Sequence, residues 1–188
     1  MSFIFVSGAV RSGKSEWAEK YALFLAAGNA HPPVYIATAR VYDAEMRRRV
    51  ALHKAARKGK GFETLERYTD VGGVVSLLFP DSTVLLECLG TLLSNEIFGA
   101  WETGGSDLLK PPDFYVRKIF NDVFTLRARV AHLLVVSNDI FSDGVTYDEP
   151  AENYRRALGA LHVKLAGTAD LAVECAAGQI IQIKPMND

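Results

Sequence analysis

Cysteine is scarce in this chain of 188 residues: Cys88 and Cys175 are the only two, and both sit in apolar runs. They form no metal-ligand pair, so no zinc site is expected. A reduced, cytoplasmic compartment fits so few thiols. Charge of one sign is also lacking. Lys plus Arg number 21 against 22 Asp plus Glu, a formal net charge of -1, which argues against a dedicated nucleic-acid binder. Long hydrophobic runs are missing too. The oiliest stretch, Val74 to Leu93, is broken by Pro80, Asp81 and Glu87, and a membrane-spanning helix needs about 20 apolar residues. The first eight residues are too short an apolar run for a signal peptide and have no basic leader. No repeat or low-complexity tract occurs. A hydrophobic content of 49% makes disorder a poor expectation. The expected molecule is one globular domain spanning 1–188.

Strand and helix patterns alternate along the chain. Phe3 to Val6, Pro33 to Ala37, Thr83 to Cys88 and Leu133 to Ser137 read as strands. Helical spacing marks Lys14 to Ala27, Asp43 to Arg57, Val71 to Phe79, Leu89 to Phe98, Phe114 to Ala131 and Ala151 to Ala166. Leu171 to Cys175 and Gln179 to Ile183 flank a turn and predict a C-terminal β-hairpin. The strands Thr83 to Glu87 and Leu133 to Val136 are apolar on both faces, as in a parallel sheet covered by helices. The class is therefore α/β with a mainly parallel sheet. Thr103 to Asp113, with two glycines and two prolines, reads as a surface loop. Trp17, Tyr21 and Phe98 read as packing residues, and His31 and His132 as boundary residues.

The chemistry begins at Gly8-Ala9-Val10-Arg11-Ser12-Gly13-Lys14-Ser15, which matches G-x-x-x-x-G-K-[ST] between a strand and a helix. Gly8 and Gly13 let the backbone turn so that consecutive N–H groups face phosphate oxygens. The following helix start favours an anion. Lys14 supplies a positive charge for the β and γ phosphates, and the Ser15 hydroxyl is a candidate Mg²⁺ ligand. The fold expectation sharpens to a P-loop NTPase (RecA-like) sheet. Glu87 ends an apolar strand, an expensive place for a charge unless it faces a ligand or a cation. It is the candidate second Mg²⁺ ligand, the alternative being a solvated strand end. These residues predict a nucleoside-triphosphate binder and do not name its second substrate.

Further segments resemble one family, the bifunctional adenosylcobinamide kinase / adenosylcobinamide-phosphate guanylyltransferases of cobalamin biosynthesis. The P-loop carries Arg-Ser before Gly-Lys-Ser. Tyr35-Ile36-Ala37-Thr38-Ala39 is followed by Asp43-Ala44-Glu45-Met46-Arg47-Arg48-Arg49-Val50-Ala51-Leu52-His53-Lys54, which is similar to the family's D-x-E-M-x-x-R-[IV]-x-x-H-[RK] helix. Leu85 to Leu89, continuing to Leu93-Ser94-Asn95, and Val135-Val136-Ser137-Asn138-Asp139 are similar to two further family segments. The resemblance implies that His53 becomes covalently guanylylated by GTP. A neutral imidazole is a competent nucleophile toward phosphorus. Arg49, one turn earlier, and the adjacent Lys54 could offset charge on the transferring phosphate. On the residues alone, a histidine among basic residues reads equally as a solvated helix face.

The chain also departs from the family pattern. Asn138-Asp139-Ile140-Phe141 stands where N-E-V-G is common. Gly159-Ala160-Leu161-His162-Val163 lacks the arginine and the Asn-Gln of G-R-x-N-Q. These departures bear on corrinoid contacts, subunit contacts or one of the two activities, and no role is assigned to His162. The resemblance implies ATP and GTP as substrates with Mg²⁺, a corrinoid substrate, and a homo-oligomer built on a trimer. A chain of this length leaves little room for a separate corrinoid-binding domain, so a loop such as Thr103 to Asp113, or a neighbouring subunit, is expected to hold that substrate. Arg47 to Arg49 with His53, Lys54, Arg57, Lys58 and Lys60 forms a basic cluster within a nearly neutral chain. A P-loop kinase of another small alcohol, and a nucleotide-binding protein without catalysis, remain open alternatives.

Overall fold

The computed structural model describes residues 1–40, 47–48, 51, 55, 59–102, 110–141 and 144–186. Among the described residues seven strands form one sheet: β1 (Ser2–Gly8), β2 (Val34–Ala37), β3 (Glu63–Glu66), β4 (Thr83–Glu87), β5 (His132–Val136), β6 (Leu171–Ala176) and β7 (Gln179–Lys184). Their order is β3-β2-β4-β5-β1-β6-β7. Every pairing from β3 to β6 is parallel, and only β7 runs antiparallel, on β6. This is the P-loop α/β sheet expected from the sequence, with its C-terminal hairpin.

Alternate residues of each strand serve two different layers. Phe3, Phe5, Val84, Leu86, Leu133 and Val135 pack on one face. That face is covered by α2 (Leu89–Glu102), α3 (Pro112–Arg129) and α4 (Glu149–Thr168). Ile4, Val6, Leu85, Leu134 and Val136 point the other way, onto Ala18 and Ala22 of α1 (Lys14–Ala26). Small alanines let α1 lie close to the sheet, while Trp17, Tyr21 and Leu25 pack at its margin. Trp17 stacks on Tyr21 with ring centroids 4.9 Å apart. Phe98 packs against the larger core, so all three aromatics read as packing residues do pack.

Local rules account for the element ends. Asp148 caps α4 by accepting from the Ala151 amide at 3.1 Å, with Pro150 in the first turn. Pro112 opens α3, which corrects the expected loop: Pro112 and Asp113 are helical, because proline is pre-organised for a first turn. Residues 103–109 lie outside the described residues. Val71–Leu77 forms a 3-10 turn rather than an α-helix to Phe79, consistent with two adjacent glycines. Strand β3, Glu-Thr-Leu-Glu, was not anticipated; it carries charge and no apolar run, as short edge strands do. Of the expected helix Asp43 to Arg57, Arg47, Arg48, Ala51 and Ala55 are described, helical and exposed. His31 precedes β2 and bonds Asp81 at 3.0 Å, and His132 opens β5.

His162 lies on the sheet-facing side of α4. Its ring is edge-on to Phe5 and Phe141, with centroids 5.1 and 5.2 Å away. Burial pushes its pKa down to about 4 from 6.5, against a smaller upward pull from Asp139. The unfolded imidazole therefore takes a proton below 6.5 while the folded one does not, so stability falls as pH drops from 6.5 toward 4. Thermal unfolding across that window should show a decline in midpoint that His162→Gln makes shallower.

Candidate active site

The carboxyl ends of the parallel strands lie at one edge of the sheet. β1 ends in Gly8, and the chain turns through Ala9, Val10 and Arg11 into Ser12, Gly13, Lys14 and Ser15. Gly8 is dictated by space: with φ 153°, an added Cβ would lie 2.4 Å from the Cys175 carbonyl oxygen and 2.7 Å from Ser12 Oγ. Gly13 caps α1 at φ 94°, a left-handed conformation that glycine adopts without steric cost. The first-turn amides of α1 have no intrahelical acceptor. The loop is braced by the C-terminal hairpin, whose Gly178 amide donates to the Ser12 carbonyl at 3.1 Å. Ala9, Val10 and Arg11 are exposed, and Arg11 has φ 62°.

Ser12 is buried, and its hydroxyl has no hydrogen-bond partner among the described residues. Lys14 is buried as well, with Nζ donating to the Ala9 carbonyl at 3.0 Å. No carboxylate pairs with that ammonium among the described residues. Such a loop offers positive charge and oriented donors to an anion.

Glu87 closes the site from the opposite side. The Ser15 hydroxyl donates to its Oε1. The Tyr35 hydroxyl donates to Oε2 at 2.9 Å. The structure thus brings together the two oxygen donors that the sequence singled out on residues 15 and 87. Hydroxyl plus carboxylate is a hard donor pair, suited to Mg²⁺ shared with phosphate oxygens. Among the described residues no group of three or more His, Cys, Asp or Glu could hold a metal by itself.

Several contacts around this edge were not legible beforehand. Thr38 Oγ1 donates to the Cys88 carbonyl at 2.9 Å and accepts from the Cys88 amide at 2.8 Å, locking the turn after Glu87 to the end of β2. Asn95, buried, donates to the Thr38 and Tyr68 carbonyls at 2.7 and 2.9 Å. The Tyr154 hydroxyl of α4 donates to the Gly90 carbonyl at 3.1 Å, and burial pushes its pKa up to about 12. Burial likewise raises the pKa of Cys88, whose sulfur contacts Thr91, so it stays a thiol. The sequence signal for these residues was the presence of Thr38, Cys88 and Asn95 inside the family-like segments.

The residues expected to act on the second phosphorus, His53, Arg49 and Lys54, lie outside the described residues. Lys60 of the expected basic cluster is described. It donates to the buried Glu19 of α1 at 2.5 Å, so its charge is occupied within the fold.

Comparison with known proteins decides the family. The sequence pattern described as "Cobinamide kinase / cobinamide phosphate guanyltransferase" matches residues 4–183. This chain belongs to the cobinamide kinase / cobinamide phosphate guanyltransferase family. It is similar to the "Bifunctional adenosylcobalamin biosynthesis protein CobU" of Salmonella typhimurium, with 31% identity over 96% of this chain and 99% of the relative. The protein of the same name from Escherichia coli is 29% identical over the same shares. Among solved structures, the flagellar accessory protein FlaH from Methanocaldococcus jannaschii superposes with a TM-score of 0.44 at 12% identity, over 98% of this chain and 78% of that one. A prototypical ATPase from the type III secretion system of pathogenic bacteria gives a TM-score of 0.46 at 10% identity, over 92% of this chain and 50% of that one. No helix among the described residues is long and apolar enough to cross a membrane.

The space around Gly8 yields a direct test. Gly8→Ala should cost about 2 kcal/mol or more, because a backbone carbonyl must move to admit the methyl. For a chain of this size that is a fall in melting temperature of roughly 4–8 °C, read by calorimetry.

Proposed function

We propose that this protein is a bifunctional enzyme of cobalamin biosynthesis. It phosphorylates adenosylcobinamide with ATP or GTP and then transfers GMP from GTP to adenosylcobinamide phosphate. The observation that carries the reading is the P-loop edge itself: Lys14 and Ser15 set against Glu87, in a chain that matches the family over residues 4–183. The whole chain is read as one nucleotide-binding domain, acting in the cytoplasm as a homo-oligomer, on the family resemblance a trimer.

In the kinase step, the backbone from Gly8 to Ser15 cradles the triphosphate and Lys14 lies along its β and γ phosphates. Ser15 and Glu87 are the residues that would hold Mg²⁺, which when bound neutralises phosphate charge. The two oxygens that bond each other here, Ser15 Oγ and Glu87 Oε1, are the ones that would serve it as ligands. The aminopropanol hydroxyl of adenosylcobinamide attacks the γ-phosphorus, loses its proton and releases the nucleoside diphosphate. Such transfers need positioning and charge neutralisation more than covalent help.

In the guanylyl step, a neutral ring nitrogen of His53 attacks the α-phosphorus of GTP. An N–P bond forms, the α–β bridging P–O bond breaks, and pyrophosphate leaves. Arg49 and Lys54 offset charge on the transferring group. A phosphate oxygen of adenosylcobinamide phosphate then displaces His53, giving adenosylcobinamide-GDP and the free imidazole. The corrinoid is read as held by residues of the 103–113 segment or by a neighbouring subunit.

Incubation with GTP labelled at the α-phosphorus tests this directly. Wild type should acquire acid-labile, protein-bound label; Lys14→Ala should lose both the label and kinase turnover. His53→Ala should lose the label and retain much of the kinase rate. Labelling of His53→Ala at the wild-type level would refute the nucleophile assignment.

A further inference from the structure

We propose that His162 is a positioning residue for phosphoryl transfer: through the Ser137 hydroxyl it fixes the carboxyl end of β5 beside the P-loop. The proposal rests on the reading that a triphosphate occupies that loop. The topology explains why this end matters. β5 lies between β1, which leads into Lys14 and Ser15, and β4, which ends in Glu87. Whatever follows β5 therefore stands between the P-loop and the carboxylate, where the terminal phosphate must react.

The connection is continuous from α4 to the loop. His162 Nε2 and Ser137 Oγ are 2.7 Å apart, and Ser137 is fully buried. The Ser137 amide donates to the Val6 carbonyl at 2.9 Å, and the Asp139 amide donates to the carbonyl of Gly8, the first glycine of the P-loop, at 2.9 Å. Asp139 Oδ1 in turn accepts from the Phe141 amide at 2.9 Å. The Phe141 ring returns to α4, lying edge-on to His162 and over Gly159, where an added Cβ would be 3.6 Å from it. Between Phe5 and Phe141 the imidazole has its orientation fixed. It also satisfies a fully buried hydroxyl, whose hydrogen-bonding capacity would be costly to leave unused.

In the segment Gly159 to Val163, which resembles the family's G-R-x-N-Q, this ring stands at the asparagine position. A reach from α4 to Ser137 needs the distal ring nitrogen. Glutamine places an amide at a comparable distance from the backbone, whereas phenylalanine keeps the volume and loses the hydrogen bond.

The test compares wild type with His162→Phe, His162→Gln, Ser137→Ala, the Ser137→Ala/His162→Phe double variant and Lys14→Ala. Each is measured for GTP affinity, kinase kcat and melting temperature. His162→Phe is expected to keep GTP affinity within about threefold and to lose kcat about tenfold or more. His162→Gln should recover most of that kcat. Ser137→Ala should reproduce the loss, with the double variant no worse than either single. A purely structural role would lower the melting temperature of His162→Phe and leave kcat within about twofold; that result overturns the proposal, as do losses that multiply in the double variant. If His162→Phe does not fold, Ser137→Ala decides: wild-type kcat there overturns the proposal. If Lys14→Ala binds GTP like wild type, the P-loop reading falls and this proposal with it. If Lys14→Ala loses GTP while Ser137→Ala and His162→Phe are both unimpaired, only this proposal falls.

Discussion

The contact on which the site depends is the one between the Ser15 hydroxyl and the Glu87 carboxylate. It joins the start of α1 to the end of β4 across an intervening strand, so it exists only if three strands end at one level. Parallel pairing supplies that condition. Val6 pairs with Val136, and Val136 with Glu87, which sets the P-loop, the end of β5 and the carboxylate in one row. A one-residue slip would turn Glu87 into the core and a leucine toward the loop. Burial of both faces makes such a slip costly, because Leu85 and Leu86 each fill a different layer with no exposure.

The rest of the molecule holds that row in place. On one side, Asn95 and Thr38 tie the turn after Glu87 to the segments that follow β2 and β3. On the other, Gly178 of the hairpin turn braces Ser12. Helix α4 spans the sheet from Tyr154, on the Gly90 carbonyl, to His162, on Ser137. Fixed donors and charges are the main resource of a phosphoryl-transfer site, because they need no reorganisation when the reaction proceeds. The buried hydroxyl of Ser12, without a partner among the described residues, belongs to the same edge, a place where the fold leaves hydrogen-bonding capacity unused.

The sequence was most legible where one physical demand left few solutions. Gly8, Gly13, Lys14 and Ser15 could be read from spacing, and the parallel sheet from strands such as Val84 to Leu86 with no polar alternation. Glu87 was readable because a carboxylate at the end of such a run needs a reason. Strand β3 escaped because Glu63, Thr64 and Glu66 give it no apolar signature; its place comes from backbone pairing with β2. His162 escaped for a different reason. Its partners Ser137 and Phe5 are far away in the chain, and no local pattern announces a contact made across the sheet. The surface-loop reading of Thr103 to Asp113 failed at Pro112 and Asp113, where proline starts a helix as readily as it ends one.

The central claim is that Ser15 and Glu87 form the protein's half of a Mg²⁺–triphosphate site. Titration calorimetry of GTP against wild type and Glu87→Gln, each with and without Mg²⁺, tests it most directly. Wild type should bind GTP more tightly by at least about tenfold when Mg²⁺ is present, and Glu87→Gln should lose most of that gain while binding metal-free GTP as well or better. An equal Mg²⁺ gain in both proteins would contradict the account, since the carboxylate would then have no part in holding the metal.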